Sequence, residues 1–276
     1  MNCLSLIQYL FDESAERYER DIAPVLAPLT ADFIAYTAPR VTDRALDIGT
    51  GTGLAARMLA PYAHCVVGVD ISPISLQTAR QLSSAANIFY VRADINRLPF
   101  LAGGFALVIA SFGLNGTHPD HSLRAIRRAI APGGRLVLQE WGPADPLNLA
   151  INGILEEYAL DEPGERMAAL RDWVEENPAT WRDHLQDVDD YRERLAELGL
   201  SIEDARECAP VAIRLSPEIY LAFLLAWTYR FEEVRAMDGS TRAAFYAAAR
   251  ARLAEAAQPD GSLIWQPAVF RVTARR

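Results

Sequence analysis

The chain has 276 residues, 51% of them hydrophobic and 23% charged, a globular balance that argues against disorder. Acidic residues number 36 against 27 basic ones, a formal charge of −9 that disfavours a broad grip on nucleic acid or on an anionic membrane. Every basic residue is Arg, which excludes Schiff-base chemistry, lysine-held pyridoxal phosphate and a standard P-loop, since each needs an ε-amino group.

Residues 1–38 read as helix, with no basic leader and with Asp12 ending a short apolar run. From 41 to 142, short β-rich runs alternate with amphipathic helical stretches. The expected strands are 45–48, 65–69, 88–91, 106–110 and 135–139, the last entered through Pro132-Gly133-Gly134. The expected helices between them are 54–60, 75–82 and 122–130. Near-continuous apolar strands alternating with helices predict a parallel sheet covered on both faces. Residues 146–198 read as two or more helices rich in Glu and Asp, and 201–215 as extended chain. Residues 217–257 read as helical again, and 263–274 as a final strand in which Pro267 marks an edge or a break.

No linker divides the chain. The expected organisation is a single domain over 1–276, with its core at 40–143, 199–215 and 263–274. A helical cap is expected from 1–38, 146–198 and 217–257. The longest apolar run, 219–227, is nine residues, and a membrane-spanning helix needs about 20. Cys3, Cys65 and Cys208 lie far apart with no Cys-x-x-Cys pair. No metal site or disulfide framework is therefore expected, and a reducing, cytoplasmic compartment is.

The most informative segment is RALDIGTGTG, from Arg44 to Gly53. Asp47 sits near a strand end, glycines follow at 49, 51 and 53, and a helix then starts. Glycines permit a tight strand-to-helix turn and close backbone approach by a ligand. The helix start supplies free N–H groups. The nicotinamide fingerprint Gly-x-Gly-x-x-Gly, counted from Gly49, places Leu54 where its third glycine belongs, which favours another nucleoside ligand. Asp70 ends the second strand, where a ribose-binding acid belongs, and one carboxylate can accept from both ribose hydroxyls. Helix capping is the competing role for Asp70, but Ser72-Pro73 is available for that task. Asp94 follows the third strand, placed to accept from an adenine amino group. All three acids fall at carboxyl ends of strands, the rim where open α/β sheets bind ligands.

These segments resemble class I S-adenosylmethionine-dependent methyltransferases, in particular the small-molecule type 11 branch that includes quinone-biosynthesis enzymes. The resemblance rests on LDIGTGTG (46–53), VVGVDIS (66–72), ADINRLPF (93–100), FALVIASFG (105–113) and APGGRLVLQEW (131–141), in the family's order. It implies a Rossmann-like α/β fold: a seven-stranded, mostly parallel sheet with helices on both faces and its last strand antiparallel, plus helical lid insertions. It also implies S-adenosyl-L-methionine as cofactor. Gly49, Thr50 and Gly51 would line its methionine end, Gly53 would open the helix, and Asp47 would organise the loop. Asp70 would hold the ribose with Ile71 against the adenine, and Asp94 and Ile95 would flank the adenine. Ser111 would approach the sulfonium, and Tyr18 would close the pocket from the N-terminal helix.

Methyl transfer from a sulfonium needs alignment and exclusion of water more than a dedicated base. His118, in the loop after the fourth strand, and Glu140, ending the fifth, are the candidate catalytic groups. The competing readings are a solvated loop histidine and a structural acid. Trp173, Trp181, Trp227, Tyr220, Phe223 and Tyr229 either line an apolar or aromatic substrate pocket or pack helices onto the sheet. The acidic run at Glu156, Glu157, Asp161, Glu162 and Glu165 reads as a solvated helix face. The expected activity is methyl transfer to a small organic acceptor, oxygen first, then the carbon of a quinone-like ring, then nitrogen. The rivals are a non-catalytic binding protein that keeps the fold and a nicotinamide-dependent oxidoreductase.

Overall fold

A computed structural model describes residues 3–114, 117–176 and 181–276. Residues 1–2, 115–116 and 177–180 lie outside the described residues, and with them small parts of the expected first helix, of the loop after the fourth strand and of the acidic helical region. The N-terminal helix is α1 (Cys3–Arg17) and α2 (Ala23–Tyr36), joined by a π-helical turn at Tyr18–Ile22. The alternating region is β1 (Arg44–Ile48), α3 (Leu54–Leu59), β2 (Cys65–Asp70), α4 (Pro73–Leu82) and β3 (Ile88–Arg92), then β4 (Phe105–Ser111), α5 (Pro119–Ala129) and β5 (Ile130–Trp141). The remainder is α6 (Pro146–Tyr158), α7 (Glu165–Glu176), α8 (Trp181–His184), α9 (Val188–Glu197), β6 (Ser201–Cys208) and β7 (Ile213–Leu215). It ends with α10 (Pro217–Leu225), α11 (Thr228–Ala236), α12 (Gly239–Ala256), β8 (Leu263–Trp265) and β9 (Val269–Arg275).

Local chemistry sets the helix starts. Ser72, His118, Asp145 and Ser216 each cap a helix with a side-chain acceptor, and each is followed by Pro at the first helical position. Proline there loses nothing, because its missing N–H would have no helical partner.

The main sheet has seven strands in the order β3-β2-β1-β4-β5-β9-β6, with β9 antiparallel to both neighbours. The expected fold class is therefore what the chain forms. The two C-terminal extended segments differ from expectation. Each splits, and β7 pairs with β8 in a separate two-stranded sheet. Pro210 and Pro267 fall in the two breaks, where the missing N–H ends a ladder.

Successive residues along the central strands face opposite sides. Ala45, Leu107, Ile109 and Val137 pack with Phe33, Ile34 and Leu59 on one face. Leu46, Val108, Leu136 and Leu138 pack with α5 and α9 on the other. A further apolar cluster joins the π turn and α2 to α6, α10, α12 and β8. Among the described residues no helix is long and apolar enough to cross a membrane. The register aligns the strand ends, with Ile48 opposite Val69 on one side and Ala110 on the other. Gly49, Asp70 and Ser111 thus emerge on one rim.

Candidate active site

The rim is built from backbone contacts first. Gly49 has φ +65°, and a Cβ there would lie 2.4 Å from the carbonyl oxygen of Gly113. The loops after β1 and β4 therefore cross with no room for a side chain. Gly51 has φ +53°, and a Cβ there would meet nothing within 4 Å, so its backbone borders open space. The Gly51 N–H donates to Asp70 Oδ2 at 2.8 Å, and the Ser72 N–H donates to Asp70 Oδ1 at 2.9 Å. Thr50 donates its hydroxyl to Asp47 Oδ2 at 2.6 Å. Asp12 of α1 accepts from the Ser72 hydroxyl at 2.5 Å, which ties the N-terminal helix to this rim.

These groups border a cavity of about 360 Å³. Its walls include Tyr18, Asp47, Gly49, Thr50, Gly51, Asp70, Ile71, Asp94, Ile95 and Ser111, all candidates from the sequence. Gly53 is a candidate that does not line it. It starts α3 at φ +84°, and a Cβ there would lie 2.4 Å from the Tyr90 hydroxyl, so it shapes the turn from behind. Asp94 caps a short 3-10 turn, accepting from the Asn96 N–H at 2.9 Å. Asn96 Oδ1 is buried at the cavity wall with no hydrogen-bond partner.

The electrostatics follow from burial. Desolvation pushes the Asp47 carboxyl up to about 7, against the Thr50 hydrogen bond and with the Asp70 charge adding to the shift. Burial likewise raises Asp70, opposed by the N–H groups of Ser72, Gly51 and Ile71. The Tyr18 phenol is pushed well above its usual range by burial, with Glu19 and Asp47 contributing. It stays a neutral donor throughout the physiological range.

The far wall is Ser111, Phe112 and Gly113. Phe112 has φ +57°, rare for a residue with a bulky side chain. Its ring stacks on Trp141 with centroids 4.0 Å apart. Behind Ser111 runs a buried polar chain. Arg271 donates twice to Gln139 Oε1, at 2.9 and 2.7 Å, and pairs with Asp32 at 2.6 Å. That fixes which end of the Gln139 amide faces Ser111: its Nε2 donates to Ser111 Oγ at 3.3 Å. The Ser111 hydroxyl hydrogen is left to point elsewhere, as a donor at the cavity wall.

The two candidate catalytic groups are not brought to this cavity. His118 is taken up by its helix: its Nδ1 accepts from the Asp120 N–H at 3.2 Å, and its ring lies 4.4 Å from that of His184. Burial lowers its pKa first, with His184 adding to the shift. Its neighbour Thr117 reaches the wall instead. Glu140 follows Gln139 on β5 and so faces the opposite side of the sheet. Burial pushes it up to about 8, with only the Leu114 backbone N–H opposing.

The helical aromatics divide between the two readings. Trp181 and Tyr220 are buried in packing, and Trp181 donates to the Tyr191 hydroxyl at 3.0 Å. Trp227 lines the cavity just described, and Phe223 and Tyr229 line a second one with it. Trp173 lines neither. The acidic run from Glu156 to Glu165 is exposed at each named position. Sequence reasoning missed Asn96, Phe112 and Gly113. Only Gly113 left a signal, a glycine just past a strand end on the same rim as the first loop.

The cavity fits an adenosine-bearing cofactor. Asp70 Oδ2 accepts from Gly51 and Oδ1 from Ser72, and a carboxylate has about four lone-pair sites, which leaves capacity for a hydroxyl. The unpartnered Oδ1 of Asn96 can accept from a base edge, and the open backbone at Gly51 leaves room for close approach. Residues 45–134 match the family model described as "Methyltransferase domain". The chain is 36% identical over 136 residues to the ubiquinone/menaquinone biosynthesis C-methyltransferase UbiE of Pseudomonas putida, covering 46% of this chain and 52% of that one. It is 36% identical over 146 residues to the demethylmenaquinone methyltransferase of Thermus thermophilus, covering 49% of this chain and 65% of that one. The chain thus spans about half to two thirds of the length of these relatives. In fold it is similar to the YcgJ protein of Bacillus subtilis, with TM-score 0.56 and 15% identity over 90% of this chain and 97% of that one. Sequence and fold agree that residues 45–134 match a methyltransferase domain, similar to that of the quinone-biosynthesis methyltransferases just named.

Proposed function

We propose that the protein transfers the methyl group of S-adenosylmethionine to a small organic acceptor. The observation that carries this reading is the convergence of ten sequence-predicted cofactor residues on one cavity. When bound there, the cofactor supplies a methyl group on a positively charged sulfur that leaves as a neutral thioether. The chain's own groups do the rest. Asp70 accepts from the ribose hydroxyls, while Asp94, Ile95 and Asn96 hold the adenine. Ser111 presents a hydroxyl donor toward the methionine end, oriented through Gln139 and Arg271. Tyr18 and Trp227 close the cavity from the helical side and exclude water, which keeps the electrostatics of the displacement strong.

The acceptor's electron pair forms the new bond as the carbon–sulfur bond breaks, and the acceptor's proton leaves to solvent. Among the described residues no histidine or glutamate lines the cavity, which suits an acceptor already acidic enough to ionise. A phenol-like acceptor meets that requirement at its oxygen and at the ring carbon beside it. Oxygen transfer is the first reading. Carbon transfer is the second, and the C-methyltransferase relatives support it. The test is turnover with S-adenosylmethionine and a panel of phenols and hydroquinones, with the product's methyl position read by NMR. An oxygen-bound methyl supports the first reading and a ring-bound methyl the second. Cofactor binding without turnover on any acceptor would favour a non-catalytic binding protein.

A further inference from the structure

One wall of the first cavity is α1, which contributes Phe11, Ser14 and Ala15, and the π turn after it contributes Tyr18 and Ile22. The facing wall, on the sheet rim, is fixed by backbone contacts. The polar ties of α1 come from its side chains, on two flanks. Toward α4, Asp12 accepts from the Ser72 hydroxyl at 2.5 Å and from the Ile74 N–H at 3.3 Å. Toward the helical cap, Arg17 donates to the Ala226 carbonyl at 2.7 Å, and its guanidinium stands 3.8 Å over the Phe231 ring.

The second tie on the cap flank is an ion cluster centred on Arg166 of α7. Its Nε and Nη2 donate to the two oxygens of Glu232 on α11, each at 3.0 Å. Its Nη1 donates to Glu13 Oε1 of α1 at 3.3 Å, and its Nη2 also donates to Glu13 Oε2. The Glu232 side chain is 4% exposed, against 34% for Arg166 and 38% for Glu13. The buried carboxylate therefore anchors the guanidinium, and the guanidinium catches α1 at its more open edge. A planar fork of five donors can serve two carboxylates at once, which a lysine ammonium does less well. Arg235 lies 3.4 Å from the same Glu232 carboxylate, and Arg17 is attracted to it from α1. Neither Arg166 nor Glu13 lines the cavity, whereas Ala226, Trp227 and Thr228, at the start of α11, do. The cluster thus clamps one helical wall of the cavity to the helix that follows the other. Glu13, Arg166 and Glu232 all fall outside the segment 45–134 that matches the family model.

We propose that Arg166 is a positioning residue: by bridging Glu13 and Glu232 it holds α1 across the cavity, and release of this ionic catch, with α1 swinging about the turn at Tyr18–Ile22, sets how fast the cofactor leaves. π-helical segments recur at functional sites, and this one places two of its residues on the cavity wall. The proposal rests on the methyltransferase reading above and adds how the cofactor is retained. Because the α1 half of the catch is open to solvent, salt weakens it.

The test is the release of tritiated S-adenosylhomocysteine from the full chain, chased with excess unlabelled compound at low and at high NaCl. Glu13→Gln removes only the α1 half of the catch and leaves Arg166 paired with Glu232. At low salt, release should quicken by about threefold or more in Glu13→Gln and in Arg166→Gln. Arg166→Lys should restore part of the retention. The double variant should release no faster than Arg166→Gln, since both changes cut one interaction. High salt should quicken the wild type toward the variants and change the variants less. Asp260→Asn, which breaks the exposed Arg214–Asp260 pair elsewhere on the surface, should leave release as it is. A wild-type rate in Glu13→Gln, effects that multiply in the double variant, an equal effect of Asp260→Asn, or a wild-type rate indifferent to salt would overturn the proposal. If Arg166→Gln does not fold, Glu13→Gln and the salt dependence decide. Failure of the wild type to bind S-adenosylhomocysteine at all would instead count against the methyltransferase reading itself.

Discussion

The two halves of the rim are assembled by different means. On the glycine-loop side, every position that matters is fixed by the backbone within a few residues of a strand end. Gly49 sits against Gly113, Gly51 donates to Asp70, and Thr50 caps Asp47. On the helical side, the cavity walls come from α1, α6, α10 and the β8–β9 segment, brought together only by packing. The first side depends on backbone geometry that tolerates almost no substitution. The second depends on packing and on a few buried charges from residues far apart in the chain.

Substitutions can break this comparison or sharpen it. The largest effect is expected at Gly49. Gly49→Ala places a methyl against the Gly113 backbone at positive φ, and strain plus overpacking should cost roughly 2–4 kcal/mol of stability. Urea denaturation checks it, and a variant as stable as the wild type would show that the loops can part. Next comes Asp70→Asn, which keeps one acceptor but loses the charge. S-adenosylhomocysteine affinity should fall by about 1.5–3 kcal/mol, on the order of 10- to 150-fold, in calorimetry with the fold unchanged by circular dichroism.

The third effect is on pH dependence. Burial pushes the Glu140 carboxyl up to about 8, well above the usual carboxylate range. The folded state therefore holds a proton that the unfolded chain gives up across that window. Its contribution to stability is complete below the unfolded value and is lost as pH rises toward 8, by at most about 1.4 kcal/mol per pH unit. Asp47 acts in the same direction up to about 7. Melting temperature without cofactor should fall from pH 5 to pH 8, and Glu140→Gln should flatten the upper part of that fall. A profile that rises over the range would contradict the burial of both acids. The smallest effect is at Ser111. Ser111→Ala should weaken S-adenosylhomocysteine binding by about 0.5–1.5 kcal/mol, and an unchanged affinity would remove its hydroxyl from the contact set.

The same division explains what was legible in the sequence. Asp47, Asp70 and Asp94 could be placed because strand ends and short turns carry them at fixed offsets. The seven-stranded, mostly parallel sheet with its last strand antiparallel followed from the family resemblance. Asn96 was missed because an amide in a 3-10 turn leaves no pattern. Phe112 was missed because nothing local predicts a positive φ at a phenylalanine. His118 and Glu140 were placed on the right rim but not on the right side of it. The cap of α5 claims His118, and strand alternation turns Glu140 away from Ser111. The aromatic cluster of the second cavity joins residues from 141 to 265, a contact that local periodicity cannot reveal. Likewise, one extended segment became β6 and β7 in different sheets, because pairing partners far along the chain decide where a strand belongs.

The Gly49–Asp70–Asn96 cavity is the proposed seat of S-adenosylmethionine. Calorimetry of the full chain with S-adenosylmethionine and S-adenosylhomocysteine, with NADH as control, tests it most directly. Both adenosyl compounds should bind with one-to-one stoichiometry, and NADH should not compete. Binding of NADH in their place, or no binding of the adenosyl pair, would contradict it.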